Sequence, residues 1–451
     1  MAKPSIKFVC NSCGAQHAAW AGKCNVCGEW NSLEQEETLA VSGTRSKSTG
    51  KALKSVKPKD VSRNDDQKRY STKISDVDTV LGGGVVPGSV VLMAGEPGIG
   101  KSTLLLSVAT NLSASLPVLY VSGEESAHQV GMRASRMNLS DSKLELATST
   151  SSDDIASSIM SGKYRVVFVD SIQTMSVDSV ASSPGSVSQI SNSAHLLLSA
   201  AKQSNTAVIL VGHVTKEGNI AGPKVLEHVV DVVLNLEGDR YGGFKILRGI
   251  KNRFGSTNEA GIFEMRDNGL IQVDNPSASL LAERQSTDGS VVLATMQGSR
   301  PLLVEVQTLV NKSNYGYPKR AASGIDLNRL NLLIAMLEKR TKLSLADQDV
   351  YVNIVGGIKL SEPAADLAIC LSIGSAAKGL ELKSNPVVFG EVGLSGEVRR
   401  VAFAEKRLAE AKKLGFDLAI GPNIKLTKAD KIYKPVSTVR EALNTYLKPK
   451  G

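Results

Sequence analysis

A glycine-rich segment between an apolar run and a helix-like run carries the clearest chemistry in this 451-residue chain. It fits the spacing G-x4-G-K-[ST], whose glycines let backbone N–H groups turn inward around phosphates. The helix that begins near Lys101 directs the positive end of its dipole at them. We expect Lys101 to reach the β- and γ-phosphates and Ser102 to ligate Mg²⁺, which makes ATP the predicted ligand. The predicted nucleotide-binding residues are Gly95, Glu96, Pro97, Gly98, Ile99, Gly100, Lys101, Ser102 and Thr103.

Polar residues follow three further apolar runs, at the ends where the ligands of a parallel sheet collect. Asp170 ends YRVVFVD and is predicted to hold Mg²⁺ through water. Glu124 follows LYVSG and is predicted to polarise the attacking water, with Glu125 as the alternative. An acid at this place also fits a helix N-terminus, where the dipole favours it. His213 follows ILVG and either senses the γ-phosphate or is structural.

Four cysteines near the N-terminus have the spacing of a metal site. Cys10, Cys13, Cys24 and Cys27 form C-x2-C-x10-C-x2-C, two similar knuckles with a glycine after each second cysteine. Two such turns complete a tetrahedral S4 site, so the pattern predicts structural zinc with no open position. A segment this short has almost no core, and metal binding would supply its folding free energy. The alternative, a redox pair, lacks the expected βαβ context.

The elements that must position these groups alternate along residues 71–275. SVVLMAG, PVLYVSG, YRVVFVD, TAVILVGHV and DVVLNLEG are short apolar runs separated by helical or loop segments. Strands rich in Val, Ile and Leu that alternate with helices predict an α/β fold with a mostly parallel sheet covered on both faces. A second αβ region, 282–451, contains Cys370 in an apolar helical stretch, where we expect a buried thiol.

Composition limits the class of protein. Hydrophobic residues make up 42% and charged residues 22%, which is typical of a globular chain of about three domains. No run approaches the roughly 18 apolar residues of a membrane span, and no secretory signal is seen, so the cytoplasm is predicted.

A net charge of +9 is by itself weak support for an anionic partner. Seven Lys or Arg residues lie between Arg45 and Arg63 against one acid, which predicts a flexible basic linker at 35–70. The linker is expected to act as a solvated tether, to contact phosphate groups, or to do both.

Several strings together resemble the bacterial RadA (Sms) family of DNA repair proteins over essentially the whole chain. They are the Cys10–Cys27 module, GEPGIGKST, VSGEES, VGHVTKEG and the segment Lys251, Asn252, Arg253, Phe254, Gly255. The resemblance implies a RecA-like ATPase core, related to the replicative helicase DnaB, in a homohexameric ring. It implies work on single-stranded and branched DNA, where the family promotes branch migration of recombination intermediates and cooperates with the RecA recombinase.

The resemblance also implies roles for particular residues. It assigns the catalytic glutamate to Glu124, and it makes His213 a switch that relays nucleotide state to a DNA-facing loop. In relatives the KNRFG segment (residues 251–255) reaches the neighbouring subunit's nucleotide, so Lys251 and Arg253 would act on the γ-phosphate in trans. A DNA-phosphate contact by the same two cations is the alternative.

The resemblance also implies that two loops occupy the positions of the DNA-binding loops of RecA-like proteins. They are SIQTMSVDSVASSPGSVSQ after Asp170 and TKEGNIAGPK after His213. Both are rich in small residues and lack aromatics, which suits contact with a phosphate backbone better than base stacking. Lys216 and Lys224 are the predicted DNA-binding cations.

The C-terminal region resembles the Lon protease domain, an α+β fold of the ribosomal S5 domain 2 type. The strings that carry the likeness are VYVNIVGGIKLSEPAADLA and GEVGLSGEVRRVAFAEKRLAEA. Lon-type peptidases use a Ser–Lys dyad, but here Ala364 stands at the serine position and Glu405 at the lysine position, with Lys406 one residue on. We therefore expect a peptidase fold without peptidase chemistry, used for ring assembly and DNA contact.

The expected division is a zinc-binding module at 1–34, a linker at 35–70, a RecA-like P-loop ATPase at 71–275 and a Lon-protease-like domain at 282–451. The main functional hypothesis is a ring-shaped, ATP-driven DNA motor. A nucleotide-switched regulatory ring that acts through protein contacts is the alternative. An ATP-dependent peptidase is disfavoured by the missing dyad.

Overall fold

The computed structural model describes residues 5–10, 15–17, 19–38, 69–213, 225–238, 243–313, 316–427 and 430–448. The chain forms two compact units, one of Met1–Glu237 and Ile246–Gln272, the other of Gly238–Lys245 and Val273–Gly451. Residues Gly238–Lys245, which the sequence pattern places in the ATPase segment, group with the second unit. There, a Cβ on Gly243 would lie 2.7 Å from the carbonyl oxygen of Gly356. Within the described residues, no helix has the length and apolarity to cross a membrane.

The N-terminal module is a small antiparallel sheet. Its strands are β1 (Ser5–Cys10), β2 (Gln16–His17) and β3 (Leu33–Thr38), in the order β2-β1-β3. Among the described residues of this module, Cys10, Cys24 and Leu33 form a buried apolar cluster.

A nine-stranded sheet is the framework of the first unit, in the order β12-β11-β10-β9-β4-β8-β7-β5-β6. Strands β9, β4, β8, β7, β5 and β6 pair in parallel, and β11 and β12 form an antiparallel pair. The strands are β4 (Val90–Gly95), β5 (Val118–Ser122), β6 (Glu145–Thr148), β7 (Val166–Asp170), β8 (Ala207–Val211), β9 (Val232–Gly238), β10 (Phe244–Asn252), β11 (Ala260–Arg266) and β12 (Gly269–Gln272).

Helices cover both faces of this sheet. They are α1 (Ser75–Leu81), α2 (Lys101–Ser113), α3 (Ala127–Arg136), α4 (Ser152–Met160), α5 (Val187–Ser204) and α6 (Val225–Val229). Val91 and Met93 of β4 share a buried cluster with α1, α2 and α3, whereas Val90 and Leu92 share another with α4, α5 and α6. Alternate residues of one strand thus enter opposite cores. The predicted α/β class with a mostly parallel, doubly covered sheet is confirmed.

A mixed seven-stranded sheet organises the second unit, in the order β15-β16-β14-β13-β18-β21-β22. Strand β14 pairs antiparallel with β13 and β16, while β18, β21 and β22 continue from β13 in parallel. The strands of this unit are β13 (Ser290–Gln297), β14 (Arg300–Lys312), β15 (Arg320–Ser323), β16 (Gln348–Ile354), β17 (Glu381–Leu382), β18 (Val387–Val388), β19 (Glu391–Val392), β20 (Val398–Arg399), β21 (Ala419–Pro422), β22 (Tyr433–Val436) and β23 (Leu447–Lys448).

The helices of the second unit are α7 (Pro276–Leu281), α8 (Leu327–Thr341), α9 (Asp366–Lys378), α10 (Ala404–Lys413) and α11 (Val439–Tyr446). Cys370 is fully buried in α9, as predicted, and burial raises the pKa of its thiol. Ala364, which the sequence predicts to stand at the serine position of a Ser–Lys dyad, is buried in a short 3-10 turn, Pro363–Ala365.

Candidate nucleotide site

The loop between β4 and α2 has the backbone shape of a phosphate-binding turn. Gly95 ends the strand with φ 153°, and a Cβ there would lie 2.5 Å from the carbonyl oxygen of Leu236. Gly100 is the N-cap of α2 with φ 113°, and it provides no side chain to cap the helix. The N-terminal N–H groups of α2 therefore receive no cap from their own N-cap residue, which is the arrangement that binds anions.

Lys101, the first residue of α2, is held inside this turn with only 4% of its surface exposed. Its Nζ donates to the carbonyl oxygens of Gly95 (3.0 Å) and Glu96 (2.9 Å), and it lies 3.2 Å from Nδ1 of His213. Burial lowers the pKa of Lys101 to about 8, although the charges of Asp170 and Glu124 act in the opposite direction. A buried ammonium at the start of a helix offers a strong counter-charge for a polyphosphate.

Asp170 and Ser102 provide the oxygen donors that Mg²⁺ prefers. Asp170 ends β7 and lies opposite Ser122 of β5, at the carboxyl edge of the parallel strands. The peptide bond between Asp170 and Ser171 is cis. Ser102 is the second residue of α2 and is partly buried. A carboxylate and a hydroxyl at these two positions fit a hard cation bound together with a phosphate.

The two candidate bases differ in their partners. Glu125 forms an ion pair with Arg133 of α3, and its backbone N–H donates to Oγ of Ser122 over 2.9 Å. Glu124 instead accepts a hydrogen bond from the Ser171 hydroxyl, and its side chain is 42% exposed. Because Glu125 is held by an arginine and Glu124 faces the site, the geometry favours Glu124 as the base.

His213 connects the two halves of the site. Its Nδ1 faces Nζ of Lys101, and its Nε2 lies 3.4 Å from Oε1 of Glu124. A protonated lysine can only donate, so Nδ1 accepts and the ring proton is assigned to Nε2, which faces Glu124. A neutral imidazole in this tautomer bridges the P-loop lysine and the candidate base.

Three cysteine thiols of the N-terminal module converge. The Sγ atoms of Cys10, Cys24 and Cys27 all lie within 4.8 Å of one another, and those of Cys10 and Cys27 are 3.6 Å apart. The backbone N–H of Cys27, followed by that of Val26, lowers the pKa of Cys24 to about 5. Thiolates at this spacing fit zinc. The fourth predicted ligand, Cys13, lies outside the described residues.

Comparison with known proteins decides the family. The model of an AAA domain matches residues 55–219, and that of a rubredoxin metal binding domain matches residues 8–35. The DNA repair protein RadA of Bacillus subtilis is 46% identical over 99% of this chain and 100% of its own length. This chain belongs to the RadA family. The resemblance expected from the sequence is therefore confirmed.

A second curated relative agrees with this assignment. The DNA repair protein RadA of Pseudomonas aeruginosa is 47% identical over 94% of each chain. Among solved structures, the RadB recombinase covers 46% of this chain and 100% of its own length, with 22% identity and a TM-score of 0.37. That superposition is too loose to carry an argument.

The KNRFG segment of this RadA-family chain is bound within its own unit. Lys251 donates to three carbonyl oxygens at the end of α6, those of Glu227 (2.8 Å), His228 (3.1 Å) and Val230 (2.8 Å). This is a cation at a helix C-terminus, where the dipole favours positive charge. Burial, followed by the charge of Arg253, lowers the pKa of Lys251.

Asp231 is the partner of the second cation. Its carboxylate accepts hydrogen bonds from Arg253 (3.1 Å), Lys202 (2.6 Å) and the backbone N–H of Val90 at the start of β4 (3.0 Å). Asn252 donates to the carbonyl oxygen of Val80 over 3.2 Å. The segment thus ties α1, α6 and β4 together in one subunit.

Of the two loops predicted to face DNA, the structure describes the first but not the second. Gln189 of α5 holds the first loop, accepting from the backbone N–H of Val177 (2.8 Å) and donating to the carbonyls of Val180 (2.8 Å) and Ser182 (3.0 Å). The loop sequence 171–189 contains no lysine or arginine. Lys216 and Lys224 of the second loop lie outside the described residues.

Sequence reasoning missed three groups at this site. Tyr120 donates to Asp170, Ser171 donates to Glu124, and Arg133 pairs with Glu125. Tyr120 lies within the apolar run PVLYVSG, where it looks like an ordinary core residue. Ser171 and Arg133 became visible only when the fold placed them beside the carboxylates.

Proposed function

We propose that this RadA-family chain is a DNA-dependent ATPase of recombinational repair. It works as a hexameric ring that moves on single-stranded and branched DNA and promotes branch migration beside the RecA recombinase. One observation supports it best: His213 contacts both Lys101 and Glu124 and directly precedes the loop that contains Lys216 and Lys224. The AAA-domain match and the DNA repair relatives agree with it.

Each part of the nucleotide site has a task in this proposal. The backbone of Gly95–Thr103 wraps the phosphates, and Lys101 donates to the β- and γ-phosphates. Ser102 and Asp170 hold Mg²⁺, which when bound neutralises charge on the phosphates. Glu124 accepts a proton from the attacking water.

His213 links this chemistry to movement. The lysine has three N–H donors, and two loop carbonyls and the His213 ring accept them in this structure. A triphosphate that takes those donors releases Nδ1, and the ring and the following loop change position. Lys216 and Lys224 then contact the DNA backbone, so DNA affinity depends steeply on salt.

Lys251 and Arg253 serve the neighbouring subunit's nucleotide in trans. Arg253 is the better placed of the two, because its side chain is 55% exposed and its partner is one buried carboxylate. Lys251 would have to leave three carbonyls to act in this way. Mixed rings distinguish the contact in trans from the DNA-phosphate alternative. They combine subunits that have Arg253 with subunits that carry Arg253→Ala, and only one of the two kinds has an intact P-loop.

Cys10, Cys13, Cys24 and Cys27 hold structural zinc in this proposal, and the second unit has no peptidase activity. Its dyad region instead contains an ion pair. Arg407 is 1% exposed, lies over the ring of Phe389 and donates to Glu362 over 2.6 Å. Glu362 lies two residues before Ala364, so a salt bridge lies beside the position where a peptidase would have its nucleophile.

A strand-extension assay on a preformed recombination intermediate tests the proposal. Wild-type protein should lengthen the heteroduplex when ATP is present, and Lys101→Ala should not. Lys163→Ala is a matched control, because it removes a lysine from a surface pair with Glu145 in the same unit. A wild type that leaves the joint unchanged while hydrolysing ATP would favour the regulatory-ring alternative.

A further inference from the structure

A buried tyrosine hydroxyl forms a hydrogen bond with the carboxylate that holds Mg²⁺ in the proposed function. Oη of Tyr120 donates to Oδ2 of Asp170 over 2.6 Å. Tyr120 lies in the middle of β5, and Asp170 ends the neighbouring strand β7. A bond of this length to a carboxylate is charge-assisted and among the stronger kinds of hydrogen bond.

The sheet fixes the position of the hydroxyl. Tyr120 is paired in register with Phe168, and the two rings stack with centroids 5.9 Å apart and planes at 16°. Residues 168 and 170 lie on the same face of β7, so the phenol reaches diagonally along the strand to the carboxylate. Tyr120 is fully buried, so its hydroxyl is held away from solvent.

The bond divides the two oxygens of Asp170 between two tasks. Oδ2 accepts from Tyr120, which leaves Oδ1 and the remaining lone pairs for a metal-bound water. We propose that Tyr120 is a positioning residue for the Mg²⁺ site, and that it sets the orientation in which Asp170 receives the metal's hydration shell. This inference rests on the proposed function. It follows the general rule that groups behind a metal ligand orient that ligand.

The test measures nucleotide binding without turnover. Affinity for a fluorescent, slowly hydrolysed ATP analogue is titrated twice for each protein, once with Mg²⁺ and once with EDTA. The ratio of the two affinities reports the metal site alone. Tyr120→Phe should lower this ratio on the order of tenfold, the effect of losing one hydrogen bond to a charged group. Its affinity in EDTA should stay at the wild-type value.

Tyr164→Phe is the matched control. Tyr164 also donates to a carboxylate, Oε2 of Glu145, over 2.8 Å in the same unit. Because Glu145 is half exposed, Tyr164→Phe should cost less stability than Tyr120→Phe, and it should leave the Mg²⁺ ratio unchanged. If Tyr120→Phe is too unstable to purify, a ring-fluorinated tyrosine at 120 keeps the shape and strengthens the donor, and the ratio should still shift.

The outcomes distinguish a failure of the positioning role of Tyr120 from a failure of the proposed function. A Tyr120 variant with the wild-type Mg²⁺ ratio overturns the positioning role and leaves the proposed function standing. A wild-type protein without any gain from Mg²⁺ contradicts the proposed function itself. In an Asp170→Asn background, Tyr120→Phe should have no further effect on the ratio, and a persisting tenfold effect would show that Tyr120 acts by another route.

Discussion

Nζ of Lys101 and Nδ1 of His213 are 3.2 Å apart, so the lysine of the P-loop hydrogen-bonds to the residue that precedes the second predicted DNA loop. A ligand that draws the lysine away must break this contact. In the proposed function, this pair connects phosphate binding to the loop that follows His213.

Replacing His213 by alanine tests this connection. His213→Ala should keep nucleotide affinity within about threefold of wild type, because the P-loop amides and Lys101 supply most of the contacts. It should lose the stimulation of ATP turnover by single-stranded DNA. His195→Ala, on the exposed side of α5, is the control and should behave as wild type. DNA stimulation that survives in His213→Ala would exclude the relay.

Substitutions of the two neighbouring glutamates should have clearly different effects on the rate of ATP hydrolysis. Glu124→Gln should bind ATP but slow turnover by at least about 100-fold, since it removes the proton acceptor. Glu125→Gln removes a partly exposed ion pair with Arg133, which contributes at most about 1 kcal/mol to stability, and it should keep most activity. Single-turnover hydrolysis of both variants is the measurement. The reverse order of effects would make Glu125 the base.

Nucleotide binding should take up a proton at alkaline pH. In the free protein burial lowers the pKa of Lys101 to about 8, and phosphate oxygens beside Nζ raise it. Below pH 7 the lysine is charged in both states, so no proton is exchanged. Above pH 8 the free lysine loses its proton and binding restores it, so affinity falls as pH rises.

Calorimetry in buffers of different ionisation enthalpy measures this uptake. Wild type should show uptake at pH 8.5 and little at pH 6.5, whereas Lys101→Met should show none at either pH. Equal uptake by both proteins would assign the proton to another group.

The zinc module can be followed through the chain's two tryptophans. Trp20 and Trp30 both lie in this module, so intrinsic tryptophan fluorescence reports on it alone. Cys24→Ser should lose bound zinc and lower tryptophan anisotropy, because the segment has almost no core without metal. Cys370→Ala should retain zinc at the wild-type level. Full zinc content in Cys24→Ser would exclude the predicted ligand set.

Local pattern was enough to predict the parts of the fold that depend on local residues. The turn at Gly95–Ser102 follows from glycine spacing between a strand and a helix. The parallel sheet follows from repeated apolar runs, and the buried thiol of Cys370 follows from its apolar neighbours. The family was also recognisable from short strings such as KNRFG.

Features that depend on distant contacts were not predictable. Tyr120 looks like any aromatic residue of a buried strand until β5 and β7 are paired in register. The contacts of Lys251 with the end of α6 join residues more than twenty positions apart. Likewise, only folding brings Arg407 to Glu362. Each of these pairings is set by sheet order and helix packing, which periodicity along the chain does not encode.

The most direct test of the central claim is the rate of ATP hydrolysis by zinc-loaded, full-length protein at low salt, measured with and without single-stranded DNA. An ATP-driven ring that moves on DNA predicts a hydrolysis rate that rises severalfold with DNA, falls back as salt is added, and is absent in Lys101→Ala. Equal rates with and without DNA, in protein that also fails to bind DNA at low salt, would contradict the account.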